Sequence, residues 1–169
     1  GVSSSSEIWR ADTGQQLAGV RGQRLYVLVE DASDIPRAGA ALFDRLWLAG
    51  LGYHFVSKSG ALLRRGPVDA AVWQANRIDF AAPPVCEPPL EARRPSPVAY
   101  NNDETPLATR TAIPPLSPTE ASVLKKMHAE AAAEAGLRTR QQEAMARWID
   151  DRLAACAGLP EGDRDVLRE

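Results

Sequence analysis

The sequence predicts an α+β protein: a small sheet of mixed or antiparallel strands backed by helices, then a proline-rich strap, then a helical hairpin. Three observations lead to this prediction. Short apolar runs of strand length surround one helical stripe in the first half of the chain, ten of the 13 prolines lie between Pro83 and Pro118, and alanine-rich helical sequence follows. We therefore expect an α+β unit over residues 1–82, a proline-rich linker or strap over 83–117 and a helical module over 118–169.

Two strand predictions open the first segment. Residues 7–10 and 15–17 flank the turn sequence Asp12-Thr13-Gly14, which predicts a hairpin. Residues 25–30 read Leu-Tyr-Val-Leu-Val-Glu and are almost continuously apolar. Such a run predicts a strand that is buried on both faces.

A helix is predicted directly after this strand. Asp34 supplies an acceptor at its cap, and Pro36 lies in its first turn. The glycines of Gly50-Leu51-Gly52 are expected to end it. Its predicted apolar stripe consists of Ala38, Leu42 and Leu46, together with Ala41 and Ala49.

Shorter elements complete the first segment. Two strands are predicted at 53–57 and 61–63, on either side of the turn Lys58-Ser59-Gly60. Val68 to Trp73 predicts a helical turn, and Arg77 to Phe80 predicts a last strand.

The third segment carries clear helix signals. Ser117-Pro118-Thr119-Glu120 has the pattern of a capping box, and the helix that it opens is expected to stop at Gly136. A second helix is predicted from Thr139 to Cys156, and Pro160 is expected to open a third.

Composition argues against several classes of protein. The 169 residues carry 20 basic and 22 acidic side chains, a net charge of -2, which argues against a globally basic nucleic-acid binder. Residues 81–169 carry 11 basic and 14 acidic side chains, net -3, so broad phosphate contact is not expected there, although a local one is left open. No apolar run approaches the roughly 20 residues of a membrane span, and no signal-peptide pattern is present. We therefore expect a cytoplasmic protein with no membrane partner.

The candidate phosphate-binding residues lie near the start of the chain. The hydroxyls and backbone amides of Ser4, Ser5 and Ser6 suit anionic oxygens. Arg21 and Arg24 precede the predicted buried strand, where their guanidinium groups could hold a phosphate. A flexible terminus and a solvated turn are the alternative interpretations of these two groups.

Asp69 is the candidate metal ligand. It follows the turn sequence Gly66-Pro67-Val68, and its carboxylate could bind Mg²⁺ or Mn²⁺ or could cap the helical turn. The two histidines offer little support for a nucleophilic triad. His54 is expected to be a core or edge residue of a strand with its hydrogen bonds satisfied, and His128 to be solvated on a polar helix face.

Residues 3 to about 115 resemble the C-terminal half of the archaeo-eukaryotic-type primase (primase–polymerase) domain found in replication proteins of bacterial plasmids, prophages and integrative elements. The fold that this resemblance implies is a primase-like half domain. The stretches that carry the resemblance are 3–6, 13–14, 19–27, 42–52, 67–69, 77–80, 83–85 and 88–90.

The resemblance implies metal-dependent nucleotidyl transfer in replication initiation, with Mg²⁺ or Mn²⁺ as cofactor. It also implies nucleotides and single-stranded nucleic acid as ligands, and a helicase domain or protein as a further partner. Arg24 takes the position of the family's nucleotide-binding histidine, and Asp69, the expected catalytic and metal-binding residue, that of its third carboxylate. The family's first motif, two carboxylates on a strand, has no counterpart before Ser3.

Three hypotheses follow from these observations. The chain is expected to be part of a primase–polymerase, a fragment of a longer protein, since it begins Gly1-Val2-Ser3 without a methionine. The second hypothesis is a related module that binds nucleic acid without catalysis. The third is a protein-interaction domain that docks a partner through its helices.

Overall fold

The structure is a computed structural model that describes residues 6–74, 76–77, 84–100 and 105–155. The described part of the chain is α+β, as predicted, with small antiparallel sheets and four α-helices. Its strands are β1 (Ile8–Arg10), β2 (Gln16–Ala18), β3 (Tyr53–Val56), β4 (Leu62–Arg65) and β5 (Leu90–Ala92). Its helices are α1 (Ile35–Leu48), α2 (Thr109–Ala112), α3 (Pro118–Ala132) and α4 (Leu137–Ala155).

The chain divides into two compact units, and each unit is made of two separate segments. The first unit comprises Gly1–Ile35 and Gln74–Ala112, and the second comprises Pro36–Trp73 and Ile113–Glu169. The predicted division at residues 82 and 117 stays a prediction.

The first unit contains an antiparallel sheet with the strand order β2-β1-β5. The predicted hairpin is confirmed: Ile8 of β1 pairs with Ala18 of β2, and Gly14 in the turn has φ +67°. A glycine adopts this left-handed backbone conformation without a steric penalty. β5 lies within the proline-rich segment and pairs with β1, so this segment contributes a short edge strand, a position in which flanking prolines are tolerated.

The prediction of a buried strand over residues 25–30 is wrong. Leu25 is 80% exposed, and Tyr26 and Leu28 are exposed as well. The stretch forms an isolated parallel bridge between Val29 and Leu107, without a regular strand over residues 24–28. An apolar run is buried on both faces only where other layers cover both faces, and the run itself cannot supply those layers.

A buried carboxylate secures the start of α1 in the first unit. Asp34 is 3% exposed, accepts a 2.6 Å hydrogen bond from Thr109 Oγ1 and lies 3.9 Å from Arg110 Nη1. Because a buried charge without partners is costly, these contacts explain how an acidic side chain is tolerated here. The helix predicted after Asp34 is confirmed, with Pro36 in its first turn.

The core of the second unit is aromatic. Phe43 and Trp47 of α1 cluster with Leu124 of α3, and Trp47 is only 2% exposed. The buried face of α1 consists of Ala38, Gly39, Ala41, Phe43 and Trp47. The predicted stripe is therefore wrong in part, since Leu42 and Leu46 are only half-buried and Ala49 is exposed. The larger apolar area of the aromatic pair, four residues apart, decides which face turns inward.

The remaining elements of the second unit match most of the predictions. β3 and β4 form the predicted hairpin, in which Phe55 pairs with Leu63. α3 begins at the predicted capping box: Ser117 Oγ accepts from the Glu120 amide, and the Glu120 carboxylate accepts from the Ser117 amide at 2.7 Å. This second hydrogen bond lowers the pKa of Glu120. Gly136 has φ +81° and separates α3 from α4.

Three further predictions are decided less completely. The helical turn predicted from Val68 to Trp73 is present in part: residues 70–73 form turns, and the Val72 amide donates a 3.2 Å hydrogen bond to the Asp69 carbonyl, but no regular helix forms. Most of the strand predicted over residues 77–80, and the helix predicted from Pro160, lie outside the described residues. No helix among the described residues is long and apolar enough to cross a bilayer.

Candidate functional site

The predicted phosphate-binding residues belong to the first unit. Ser6 is completely buried, and its Oγ accepts a 3.0 Å hydrogen bond from the Arg21 backbone amide. The structure therefore brings Ser6 and Arg21 together through the backbone, while the Arg21 side chain is exposed and Arg24 is half-buried. Ser4 and Ser5 lie outside the described residues. The phosphate-binding role of this group stays a prediction.

Asp69 belongs to the second unit and has the geometry of a capping residue. It is exposed, and its Oδ1 accepts a 3.0 Å hydrogen bond from the Ala71 amide. In the part of the chain that the structure describes, no three His, Cys, Asp or Glu side chains are grouped so that they could hold a metal ion. Two-metal catalysis needs several converging carboxylates, and the described residues around Asp69 do not supply them. A metal-binding role for Asp69 stays a prediction.

The second unit contains an open groove of about 510 Å³ between β3 and α4, which we call the α4 groove. Two large aromatic side chains are exposed in it: Phe55 is 50% exposed and Trp148 is 39% exposed. Alternation along β3 leaves Phe55 exposed and its neighbour Val56 half-buried. The lining consists of Phe55, Val56, Ser57, Lys58, Arg140, Ala144, Arg147, Trp148 and Asp151.

The α4 groove is locally basic although the chain is slightly acidic. Its lining contains three cations, Lys58, Arg140 and Arg147, and one carboxylate, Asp151. Arg140 Nη2 lies 3.0 Å from Glu134 Oε1. Arg147 Nη1 lies 4.0 Å from Oε2 of Glu143, one helical turn away. Exposed ion pairs of this kind contribute only about 0–1 kcal/mol, so both guanidinium groups can exchange their partners for an anionic ligand.

A close contact between the β3–β4 turn and α4 positions one rim of this groove. Gly60 has φ +79°, and a Cβ there would lie 2.7 Å from the Gln141 carbonyl oxygen and 2.9 Å from Met145 Cβ. The Gln141 side chain donates a 3.2 Å hydrogen bond to the Gly60 carbonyl. Glycine is required at this position because any side chain would push the turn away from the helix. Lys58 belongs to the same turn and lines the groove.

The same unit has a second open groove, of about 430 Å³, which we call the β4 groove. Phe43 and Trp73 line it with ring centroids 6.4 Å apart in an edge-to-face arrangement. Gly39 makes room for Trp73, since a Cβ at this glycine would lie 2.3 Å from the indole ring. The full lining consists of Ala40, Phe43, Asp44, Leu63, Arg64, Arg65, Ala70 and Trp73.

The two histidines meet at Trp47. The His128 ring centroid lies 4.3 Å from that of Trp47, and the His54 centroid lies 5.2 Å from it. The prediction that His128 is solvated is wrong: it is half-buried, and its Nε2 lies 3.3 Å from Arg64 Nη1. Burial lowers the pKa of His128, and the positive charge of Arg64 lowers it further. His54 is half-buried within β3, as predicted, but its Nδ1 is buried without a hydrogen-bond partner among the described residues, so the expectation of a satisfied histidine is wrong.

Sequence reasoning missed the residues of the α4 groove. Phe55 and Trp148 are far apart in the chain, so no local pattern joins them. One signal was present: Arg140, Ala144, Arg147 and Trp148 recur at helical spacing and therefore share one face of α4. A helix face with two arginines and an exposed tryptophan is atypical of a face that packs in a core.

No protein-family model, no curated protein and no solved structure matches this chain. The resemblance to the primase–polymerase domain therefore stays a hypothesis that rests on the residues quoted for it.

Proposed function

We propose that this protein binds single-stranded nucleic acid in the α4 groove. One observation carries the proposal: Phe55 and Trp148 are both exposed in a groove whose rim holds Lys58, Arg140 and Arg147. Proteins that bind single strands combine basic grooves, which follow the phosphates, with aromatic side chains on which bases stack. The proposal takes up the non-catalytic hypothesis and moves it to residues that the sequence did not single out.

Stacking should supply much of the affinity. Each base that stacks on an aromatic side chain contributes about 1–3 kcal/mol by alanine substitution, and every base has a flat face to offer. Phe55 and Trp148 are therefore expected to act without strong sequence preference. Removal of the Trp148 ring should weaken binding by about 5- to 150-fold, which is the same range expressed as a ratio of dissociation constants.

The three cations predict a moderate dependence on salt. For single strands, the slope of log K against log salt concentration is about -0.7 for each phosphate that the protein neutralises. Three contacts give a slope of about -2, so the affinity should fall about 20-fold between 50 and 200 mM salt. A smaller number of contacts would flatten the slope in proportion.

Fluorescence anisotropy with a labelled oligothymidylate tests the proposal. Trp148→Ala should lower the affinity at every salt concentration, and Arg147→Ala should also reduce the salt slope by about 0.7. Two matched controls come from the same elements: Arg138→Ala on α4 and Tyr53→Ala on β3, both exposed and neither part of the groove lining. An affinity that does not change with salt concentration, or that Trp148→Ala leaves unchanged, would show that single strands do not bind in the α4 groove.

Nucleotidyl transfer in replication initiation stays a hypothesis that rests on the resemblance. It assigns the metal-binding role to Asp69, whose exposed carboxylate follows Pro67-Val68 as in the stretch that carries the resemblance. Primer synthesis in the presence of Mg²⁺ or Mn²⁺, with and without Asp69→Asn, tests this assignment. Unchanged synthesis by the variant would show that Asp69 takes no part in it.

A further inference from the structure

One carboxylate, Asp151, lies among the cations of the α4 groove. It is exposed and lines the groove together with Lys58, Arg140 and Arg147. Asp151 nevertheless forms no ion pair with any described residue, and Arg147, four residues earlier, pairs with Glu143 instead. A carboxylate without a cationic partner keeps its acceptor positions available to a ligand that fills the groove.

The spacing along α4 places Asp151 beside Trp148. The groove-lining residues of this helix are Arg140, Ala144, Arg147, Trp148 and Asp151. At 3.6 residues per turn they lie within an arc of about 100° around the helix axis, and Asp151 is near the middle of that arc. Side chains three residues apart on a helix are neighbours, with their Cβ atoms about 5–6 Å apart. The Asp151 carboxylate is therefore within reach of the edge of a base that stacks on Trp148.

An arginine outside the groove lining covers one face of the Trp148 ring. The Arg152 guanidinium carbon lies 5.1 Å from the centroid of the ring, and Arg152 does not line the α4 groove. Because the cation occupies one face of the indole, a base can stack only on the other. Around the helix axis, Asp151 lies on the other side of Trp148 from Arg152. We therefore expect a stacked base to lie on the side of Asp151.

A carboxylate beside a stacked base discriminates among the bases. An ionised carboxylate accepts hydrogen bonds through two oxygens and donates none. Guanine presents two adjacent donors on its Watson–Crick edge, N1–H and the 2-amino group, which match the two oxygens in a bidentate contact. Adenine and cytosine present one amino donor beside an acceptor nitrogen, and thymine presents one N–H between two carbonyl oxygens. Only guanine therefore satisfies both oxygens of Asp151.

We propose that Asp151 makes the α4 groove selective for single strands that carry guanine, and that it accepts hydrogen bonds from N1–H and the 2-amino group of a guanine stacked on Trp148. This inference rests on the proposed binding of single strands in the groove. Stacking itself does not distinguish the bases strongly, so the preference comes from Asp151. A bidentate contact with a base edge discriminates about 5- to 150-fold, and we expect about 5- to 20-fold because Asp151 is exposed.

Fluorescence anisotropy with three labelled oligomers tests this inference. The first is oligothymidylate, the second carries isolated guanines between thymines, and the third carries inosine at the same positions. Inosine keeps the purine ring and the N1–H of guanine but lacks the 2-amino group. The guanine oligomer should bind about 5- to 20-fold more tightly than oligothymidylate, and the inosine oligomer should bind more weakly than the guanine oligomer.

Asp151→Asn should abolish the preference for guanine, because an amide offers one acceptor and one donor group and cannot match two adjacent donors. The same variant should bind oligothymidylate at least as tightly as the wild type, since it removes a negative charge from the groove. That binding also shows that the variant is folded. Asp150→Asn is the matched control: Asp150 is the exposed neighbour on α4, outside the groove lining, and this variant should keep the preference.

The outcomes separate this inference from the proposed function. Equal affinity for the guanine oligomer and either of the other two, or an unchanged preference in Asp151→Asn, would overturn the role of Asp151 and leave single-strand binding in place. An equal loss of preference in Asp150→Asn would overturn it as well, because the net charge of α4 would then explain the effect. A protein that binds none of the three oligomers would overturn the proposed function and this inference together.

Discussion

Gly52 is the position at which one added methyl group should disturb the core of the second unit most directly. A Cβ on Gly52 would lie 2.0 Å from Trp47 Cδ2, 2.3 Å from Cε2 and 2.4 Å from Cγ. Non-bonded carbon atoms prefer separations of about 3.5–4.0 Å, so all three contacts are strongly repulsive. The indole has little room to retreat, because it is 2% exposed and the rings of His54 and His128 lie against it.

The expected cost of Gly52→Ala is therefore at the upper end of the range for overpacked cores. Extra methylene groups in a well-packed core cost about 1–3 kcal/mol, and we expect about 3 kcal/mol here. For a chain of this length each kcal/mol lowers the melting temperature by about 2–4 °C, which gives a decrease of about 6–12 °C. Urea denaturation and thermal unfolding followed by circular dichroism measure both quantities.

A matched glycine and a second background make this test specific. Gly66→Ala should change stability by no more than about 0.5 kcal/mol, because its Cβ would lie 3.5 Å from the nearest Phe43 atom, an ordinary contact. In a Trp47→Leu background, Gly52→Ala should lower the free energy of unfolding much less, because the indole ring that the new methyl group would overlap is absent. An equal cost of Gly52→Ala in both backgrounds would refute the explanation by collision with Trp47.

Two further predictions test other parts of the structure. Leu25→Ala should lower the free energy of unfolding, measured by urea denaturation, by less than about 0.5 kcal/mol, because Leu25 is 80% exposed. A decrease of about 2–5 kcal/mol would show that Leu25 is buried, as the sequence predicted. Stability should also fall on acidification from pH 7.5 to 5.5. Burial lowers the pKa of His128 in the folded protein below its unfolded value of about 6.5. As the pH falls below about 6.5, His128 therefore takes up a proton in the unfolded chain before it does so in the folded protein. The free energy of unfolding decreases over this range, down to the folded pKa. His128→Gln should remove this loss, and a variant that still loses the same stability would assign the effect elsewhere.

The elements that were predicted correctly are those stabilised by interactions between residues close together in the sequence. The hairpin around Gly14 needs a left-handed turn residue, and the start of α3 needs only Ser117 and Glu120 at capping-box spacing. The apolar run over residues 25–30 misled the prediction because its burial depends on layers from elsewhere in the chain. The stripe of α1 was misjudged for a similar reason, since Phe43 and Trp47 turn inward toward partners such as Leu124.

The candidate site residues divide in the same way. Sequence analysis selected Ser6, Arg21, Arg24 and Asp69 by residue type and by resemblance, and the structure shows a buried hydroxyl at Ser6 and a capping carboxylate at Asp69. The capping role of Asp69 was one of the two alternatives that the sequence left open, whereas the burial of Ser6 could not be predicted from the residue itself, because tertiary packing decides it.

By itself, the sequence determined that the protein is α+β, where α1 and α3 begin, where the hairpin at Gly14 turns, and that its overall charge is close to zero. Capping, turn geometry and apolar periodicity act over a few residues, so the order of residues is enough to specify them. Only the tertiary structure decided that Phe55 and Trp148 share a groove, and that His128 lies against Trp47 and Arg64. These groupings join residues far apart in the chain, and they form because the packing of α3 and α4 on β3 brings distant side chains together.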